Sequence, residues 1–148
     1  MLIRDIMSLN ATRIGVGSDM QRAAEIVSLT GASDLMVVDD ANHFVGVLSE
    51  GDLIRSTLPR FDEIMSTSGS LNEALEIFVD KGKTLARQSI DDLIIRDPVV
   101  MRPDDKILKA ASIMISKQIR RLPVVDLNGK LVGTVSRADV CRAVLSGV

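Results

Sequence analysis

The feature that most constrains this chain is that it repeats itself, because an internal duplication decides the architecture before any local reading does. Sliding the sequence along itself by the interval from Asp52 to Asp139 places Asp5 on Asp92, Ala23-Ala24 on Ala110-Ala111 and Ile26 on Ile113. The same shift places Val37-Val38-Asp39 on Val124-Val125-Asp126, Val45-Gly46 on Val132-Gly133 and Ser49 on Ser136. Arg55 on Arg142 and Leu58 on Leu145 close the match without a gap. Two copies of one unit follow, residues 1–58 and 90–148, with an unrepeated insert at 59–89.

Within a copy the hydrophobic periodicity alternates between strand and helix. Residues 12–16 read as a short extended segment. Ser18-Asp19-Met20-Gln21 has the Ser-x-x-Gln spacing of a capping box, opening a helix with Ala23, Ala24, Ile26 and Val27 on its inner side. Leu35-Met36-Val37-Val38 and Phe44-Val45-Gly46-Val47-Leu48 are short apolar runs rich in β-branched residues, joined by a turn at 39–43. In the second copy, Leu122-Pro123-Val124-Val125 and Leu131-Val132-Gly133-Thr134-Val135 flank Asn128-Gly129, the signal of a two-residue hairpin. Helices over 50–57 and 137–146 end the copies. Each copy is thus a βαββα unit of mixed α/β (α+β) class. So small a sheet, left alone, exposes a large apolar face, so the two units are expected to pack sheet to sheet about a pseudo-two-fold axis, leaving two clefts. In the insert, Ser70-Leu71-Asn72-Glu73 is another capping box, and Leu71, Ala74, Leu75 and Phe78 predict a helix ending near Gly82. That helix reads as a linker packed on the module, or as a partner surface.

Composition removes several classes of function. The formal charge is −2 with no Lys/Arg block, and aromatic residues are 2%, so both the electrostatic footprint and the stacking platforms of a nucleic-acid binder are missing. No apolar run approaches the roughly 18–20 residues a membrane helix needs, and the first residues lack a secretory apolar stretch; a cytoplasmic protein is expected. The single cysteine, Cys141, cannot form an internal disulfide, and its apolar neighbours predict a buried thiol. The one histidine, His43, falls in a turn without a Cys or Ser partner, which predicts a surface residue and not a base. No metal-ligand spacing or Gly-rich phosphate loop is present, so neither a metal nor a cofactor is expected. Asp39-Asp40, Asp91-Asp92 and Asp104-Asp105 sit where acids cap and solvate turns. Nothing nominates a reaction, and a non-enzymatic role is expected.

The segments Leu35-Met36-Val37-Val38-Asp39 … Phe44-Val45-Gly46-Val47-Leu48-Ser49-Glu50-Gly51-Asp52 and Leu122-Pro123-Val124-Val125-Asp126 … Leu131-Val132-Gly133-Thr134-Val135-Ser136-Arg137-Ala138-Asp139 resemble a tandem pair of cystathionine β-synthase (CBS) domains, the Bateman module. The resemblance covers nearly the whole chain. It implies a regulatory module that binds AMP, ADP, ATP or a related adenosine derivative between the repeats and passes the event on as a conformational change. It also implies a homodimer joined through helices and a client protein of unknown identity. Other readings stay open: a ligand-independent adaptor, a sensor of S-adenosylmethionine or NAD, a nucleotide-processing enzyme, and a module for another ligand class such as a metal ion or nucleic acid.

By the same resemblance, Asp52 and Asp139 would take ribose hydroxyls, a task suited to a carboxylate with two acceptor oxygens. Ser49 and Ser136, at the helix starts, would lie against phosphate. Ser-x-x-Asp is equally a helix-capping spacing, and the two roles are compatible. Arg120-Arg121 stands where phosphate contacts are expected, although a basic pair behind a helix C-terminus is also stabilised by the helix dipole. The first copy has Ser33-Asp34 there, so the two clefts are not expected to be equal. The purine would lie among Thr12, Ala32, Ser33 and Thr134 in one cleft, and Val99, Ile119 and Val47 in the other.

Overall fold

A computed structural model describes residues 1–66 and 70–147, so that 67–69 of the insert and the last residue of the second unit lie outside the described residues. In chain order the elements are α1 (Ile3–Ile6), β1 (Arg13–Gly15), α2 (Met20–Thr30), β2 (Asp34–Val38), β3 (Phe44–Ser49), α3 (Glu50–Thr57), α4 (Phe61–Ser66) and α5 (Leu71–Leu85). A 3-10 turn at Asp91–Leu93 then leads to β4 (Ile95–Arg96), α6 (Ile107–Ser116), β5 (Arg121–Val125), β6 (Leu131–Ser136) and α7 (Arg137–Leu145).

The first sheet runs β1-β2-β3-β4, with β1 parallel to β2 and the other pairs antiparallel. Its outer strand, β4, comes from the start of the second copy. The second sheet pairs β5 with β6, and is extended by single bridges from Met101, parallel to Val124, and from Ser8, antiparallel to Thr134. The copies therefore exchange their leading strands, Ser8 occupying in one sheet the place Ile95 occupies in the other.

The exchange explains two strand glycines. A Cβ on Gly46 would run into the backbone carbonyl of Ile95, and one on Gly133 into that of Ser8. A glycine inside an apolar strand marks such a close backbone approach. Cores are shared in the same way: Ile3 and Ile6 pack with Met101, Ala110, Met114, Leu122 and Val135, while Ile90 and Ile94 pack with Ile14, Ala23, Leu35, Val37 and Leu48. Alternation along the strands puts Leu35, Val37 and Leu48 against helices. Met36, Val38 and Leu131, with Phe44 and Val47, fill the space between the sheets. The hairpin tips join there too, through Phe44 N–H to Gly129 O (2.8 Å) and Leu131 N–H to Asn42 O (3.1 Å). Arg13 reaches across to the Leu131 carbonyl (3.2 Å).

Several local expectations need correction. Helix α2 is capped by Asp19, whose carboxylate accepts Arg22 N–H at 2.8 Å, so the helix opens one residue beyond the Ser18 box. Ala23 is fully buried but Ala24 is exposed, because the helix turns it past the core-facing stripe. The connection at 126–130 is a five-residue loop, not a two-residue hairpin. One carboxylate oxygen of Asp126 accepts N–H groups from both Asn128 and Lys130 at 2.9 Å, which holds the longer loop closed. Asp39 does the same for Ala41 and His43, and the left-handed residues are Asn42 and Gly129 at equivalent positions. Helix α5 continues through Gly82 to Leu85, where tertiary contact overrides the stop signal: Ala86 O and Gln88 O accept Gln21 N–H and Met20 N–H. Cys141 is exposed, because α7 turns Ala143 and Val140 inward instead. His43 is at the surface, 3.3 Å from Asp39.

Candidate ligand cleft

The duplication puts matching residues at the N-terminal ends of β2 and β5 and at the starts of α3 and α7. Ser33 O accepts Glu50 N–H and Arg120 O accepts Arg137 N–H, both at 3.0 Å, so each strand start is tied to the helix following the hairpin. Between these elements opens a cleft of about 720 Å³, of the size that holds a small ligand. Ser33, Val47, Ser49, Val99, Ile119, Arg120 and Arg121 all line it. The three apolar residues assigned to one purine site, Val47, Val99 and Ile119, are thus brought together with the basic pair.

Sequence reasoning missed other parts of the lining. Ile95 and Pro98 arrive on the exchanged segment, and Gln118, with φ +56°, closes the turn after α6. Asp34, Glu50 and Arg55 add charge to the walls. The residues around β4 could have been found from Gly46, whose missing side chain signals a close backbone approach there.

The two aspartates assigned to ribose do not line this cleft. Asp52 is tied into α3: Ser49 Oγ donates to its Oδ2 (2.9 Å) and accepts its N–H (3.1 Å), and Arg55 pairs with Oδ1. Asp139 Oδ2 accepts both the N–H (2.8 Å) and the hydroxyl (2.9 Å) of Ser136. The capping role is therefore realised in both copies. Their side chains keep 24% and 16% exposure, and Ser49, Gly51 and Arg55 around Asp52 all face the cleft.

The related set Thr12, Ala32, Thr134, Ser136 and Asp139 is not gathered into this cleft. Thr134 is fully buried and Ser136 nearly so. The Arg121 guanidinium, which lines the cleft, donates to Thr134 Oγ1 at 2.8 Å. Val47, the counterpart of Thr134, has no hydroxyl to accept such a bond, and the counterpart of Arg121 is Asp34.

Electrostatics separates the cleft's charges. Arg55 is matched by Asp52, whereas neither Arg120 nor Arg121 has a carboxylate within ion-pair distance among the described residues. Burial pushes the Asp34 carboxyl above the usual carboxylate range, opposed by the nearby Arg121 and by a hydrogen bond from Ser33. The arrangement offers an apolar wall with two guanidinium groups that have no carboxylate partner among the described residues, which suits a flat apolar ring carrying an anion. Among the described residues no cluster of three metal-ligating side chains occurs, and no helix is long and apolar enough to cross a membrane.

Comparison with known proteins agrees with the duplication. The sequence model of the CBS domain matches residues 3–58 and 90–146. An uncharacterised protein, MJ1426 of Methanocaldococcus jannaschii, is 28% identical over 98% of this chain and 92% of its own length. The chloroplastic CBS domain-containing protein CBSX2 of Arabidopsis thaliana is 32% identical over 83% of this chain, which spans 54% of that relative. The crystal structure of CBSX2 in complex with AMP superposes with a TM-score of 0.75 at 28% identity, covering 98% of this chain and 96% of that one. The chain belongs to the CBS domain family, as a tandem pair of repeats.

Proposed function

We propose that this chain is a non-enzymatic regulatory sensor, which binds an adenosine nucleotide in the cleft at Arg120-Arg121 and transmits the event through the angle between its two sheets. The observation that carries the reading is the meeting of Val47, Val99 and Ile119 with two guanidinium groups that lack carboxylate partners. An apolar slot holds the purine, and the arginines supply bidentate, charge-assisted hydrogen bonds to phosphate. CBSX2, of which a crystal structure contains AMP, supports that ligand class. Asp52 takes the ribose by exchanging its hydrogen bond from the Ser49 hydroxyl for one from a ligand hydroxyl while keeping Arg55, a step its partial exposure permits.

Because both sheets contribute walls, ligand binding biases their relative placement by as much as it prefers one placement over another. The working unit we propose is a cytoplasmic homodimer acting on a client protein. Isothermal titration of AMP into the parent and the Arg120→Ala/Arg121→Ala variant tests the reading. The expected result is saturable binding to the parent, weakened at least tenfold in the variant. Equal affinity in both overturns the placement of the site at Arg120-Arg121, and heat-free titrations with AMP, ADP and ATP alike overturn the nucleotide reading and favour the ligand-independent adaptor.

A further inference from the structure

We propose that Asp34 makes this cleft selective for a nucleoside monophosphate over a triphosphate; the inference rests on the nucleotide reading above and adds the determinant of phosphate-chain length. The duplication places Asp34 where the second copy has Arg121: Asp34 pairs in register with Ser49, and Arg121 with Ser136. Both residues point from the sheet faces that meet, and both line the one cleft. Its carboxyl, partly stripped of water, lies within the field of Arg121 and Arg120. An anion bound by the arginines is therefore also beside Asp34.

Charge matching then limits the ligand. The lining holds three cations, Arg55, Arg120 and Arg121, and two acids, Asp34 and Glu50. Arg55 is already matched by Asp52. Two guanidinium groups remain to meet the roughly two negative charges of a monophosphate at neutral pH, and Asp34 and Glu50 already offset part of their field. A longer phosphate chain brings further charge for which the described walls offer no third free cation, and those walls also carry the acids Asp34 and Glu50. In a partly desolvated groove such like-charge contacts are weakly screened.

The test is calorimetric titration of magnesium-free AMP and ATP, at one ionic strength, into the parent and the Asp34→Asn, Asp34→Ser and Asp34→Glu variants. The parent and Asp34→Glu are expected to prefer AMP. Asp34→Asn and Asp34→Ser are expected to shift the ATP-to-AMP affinity ratio toward ATP by roughly tenfold, as loss of one nearby like charge implies. Either uncharged variant suffices if the other fails to fold. AMP binding with a ratio unchanged from the parent in the uncharged variants overturns the selectivity role while leaving the nucleotide reading intact. Failure of both nucleotides to bind the parent overturns that reading and this inference together.

Discussion

Replacing Gly46 by alanine tests the strand exchange on which the cleft's geometry depends. The added methyl meets the Ile95 carbonyl oxygen and lies 2.6 Å from Ile94 Cγ2, well inside contact distance. The first obstacle is backbone, fixed by the β3–β4 pairing of Gly46 with Arg96 and Val47 with Ile95, so no rotamer change relieves it. The Gly46 backbone angle is outside the left-handed region, so the penalty is steric alone. Forcing a methylene-sized group into a packed site costs about 1–3 kcal/mol, which for a domain of this size lowers the melting temperature by roughly 3–10 °C. Gly82, inside α5 with open space around its Cβ position, is the control: alanine there is expected to add roughly 0.5–1 kcal/mol. Urea unfolding with matched thermal scans reads both variants. A Gly46→Ala protein as stable as the parent would refute the close approach of β4 to β3 at Gly46.

Three further outcomes follow from the same packing. Ile3→Ala, which empties a fully buried position in the core of the second copy, is expected to lower stability by about 2–5 kcal/mol in urea titrations, despite lying in the first residues of the chain. The Asp39 carboxyl is held below its ordinary value of 3.8, chiefly by the His43 N–H and also by that of Ala41. Its contribution is present above that value and is lost as pH falls through the lowered one, so Asp39→Asn should flatten the acid limb of a stability-against-pH curve and leave it parallel to the parent above pH about 5. Asp34 has the opposite sign: with its carboxyl raised, stability falls as pH rises from 3.8 through the raised value, and Asp34→Asn should match or exceed the parent's melting temperature at neutral pH.

Much of the fold was legible because the duplication and the apolar runs act through burial, which sequence records directly. Val37-Val38 and Val124-Val125 read as strands, and they are strands for the reason the reading gave. The strand exchange was not read, because Ser8 and Ile95 acquire meaning only against Gly133 and Gly46, far away in the chain. Stop and turn signals failed where tertiary contacts outweighed them, as at Gly82, or where an aspartate closed a longer loop, as at Asp126. Of the residues that line the cleft, Arg120, Arg121, Val99 and Ile119 are named in advance only through the family resemblance, since a basic pair or an apolar strand residue has no ligand signal of its own. Asp34 was noticed only as a departure from the pattern, since its electrostatic weight comes from the arginines facing it across the cleft.

The central claim is that an adenosine monophosphate occupies the groove beneath Arg120 and Arg121, and backbone amide chemical shifts during an AMP titration test it most directly. The account predicts saturable shifts concentrated at 33–34, 47–51, 95–99 and 118–121, with the surface of the insert helix α5 unmoved. Shifts absent at saturating AMP, or gathered on α5 and the outer helices, would contradict it.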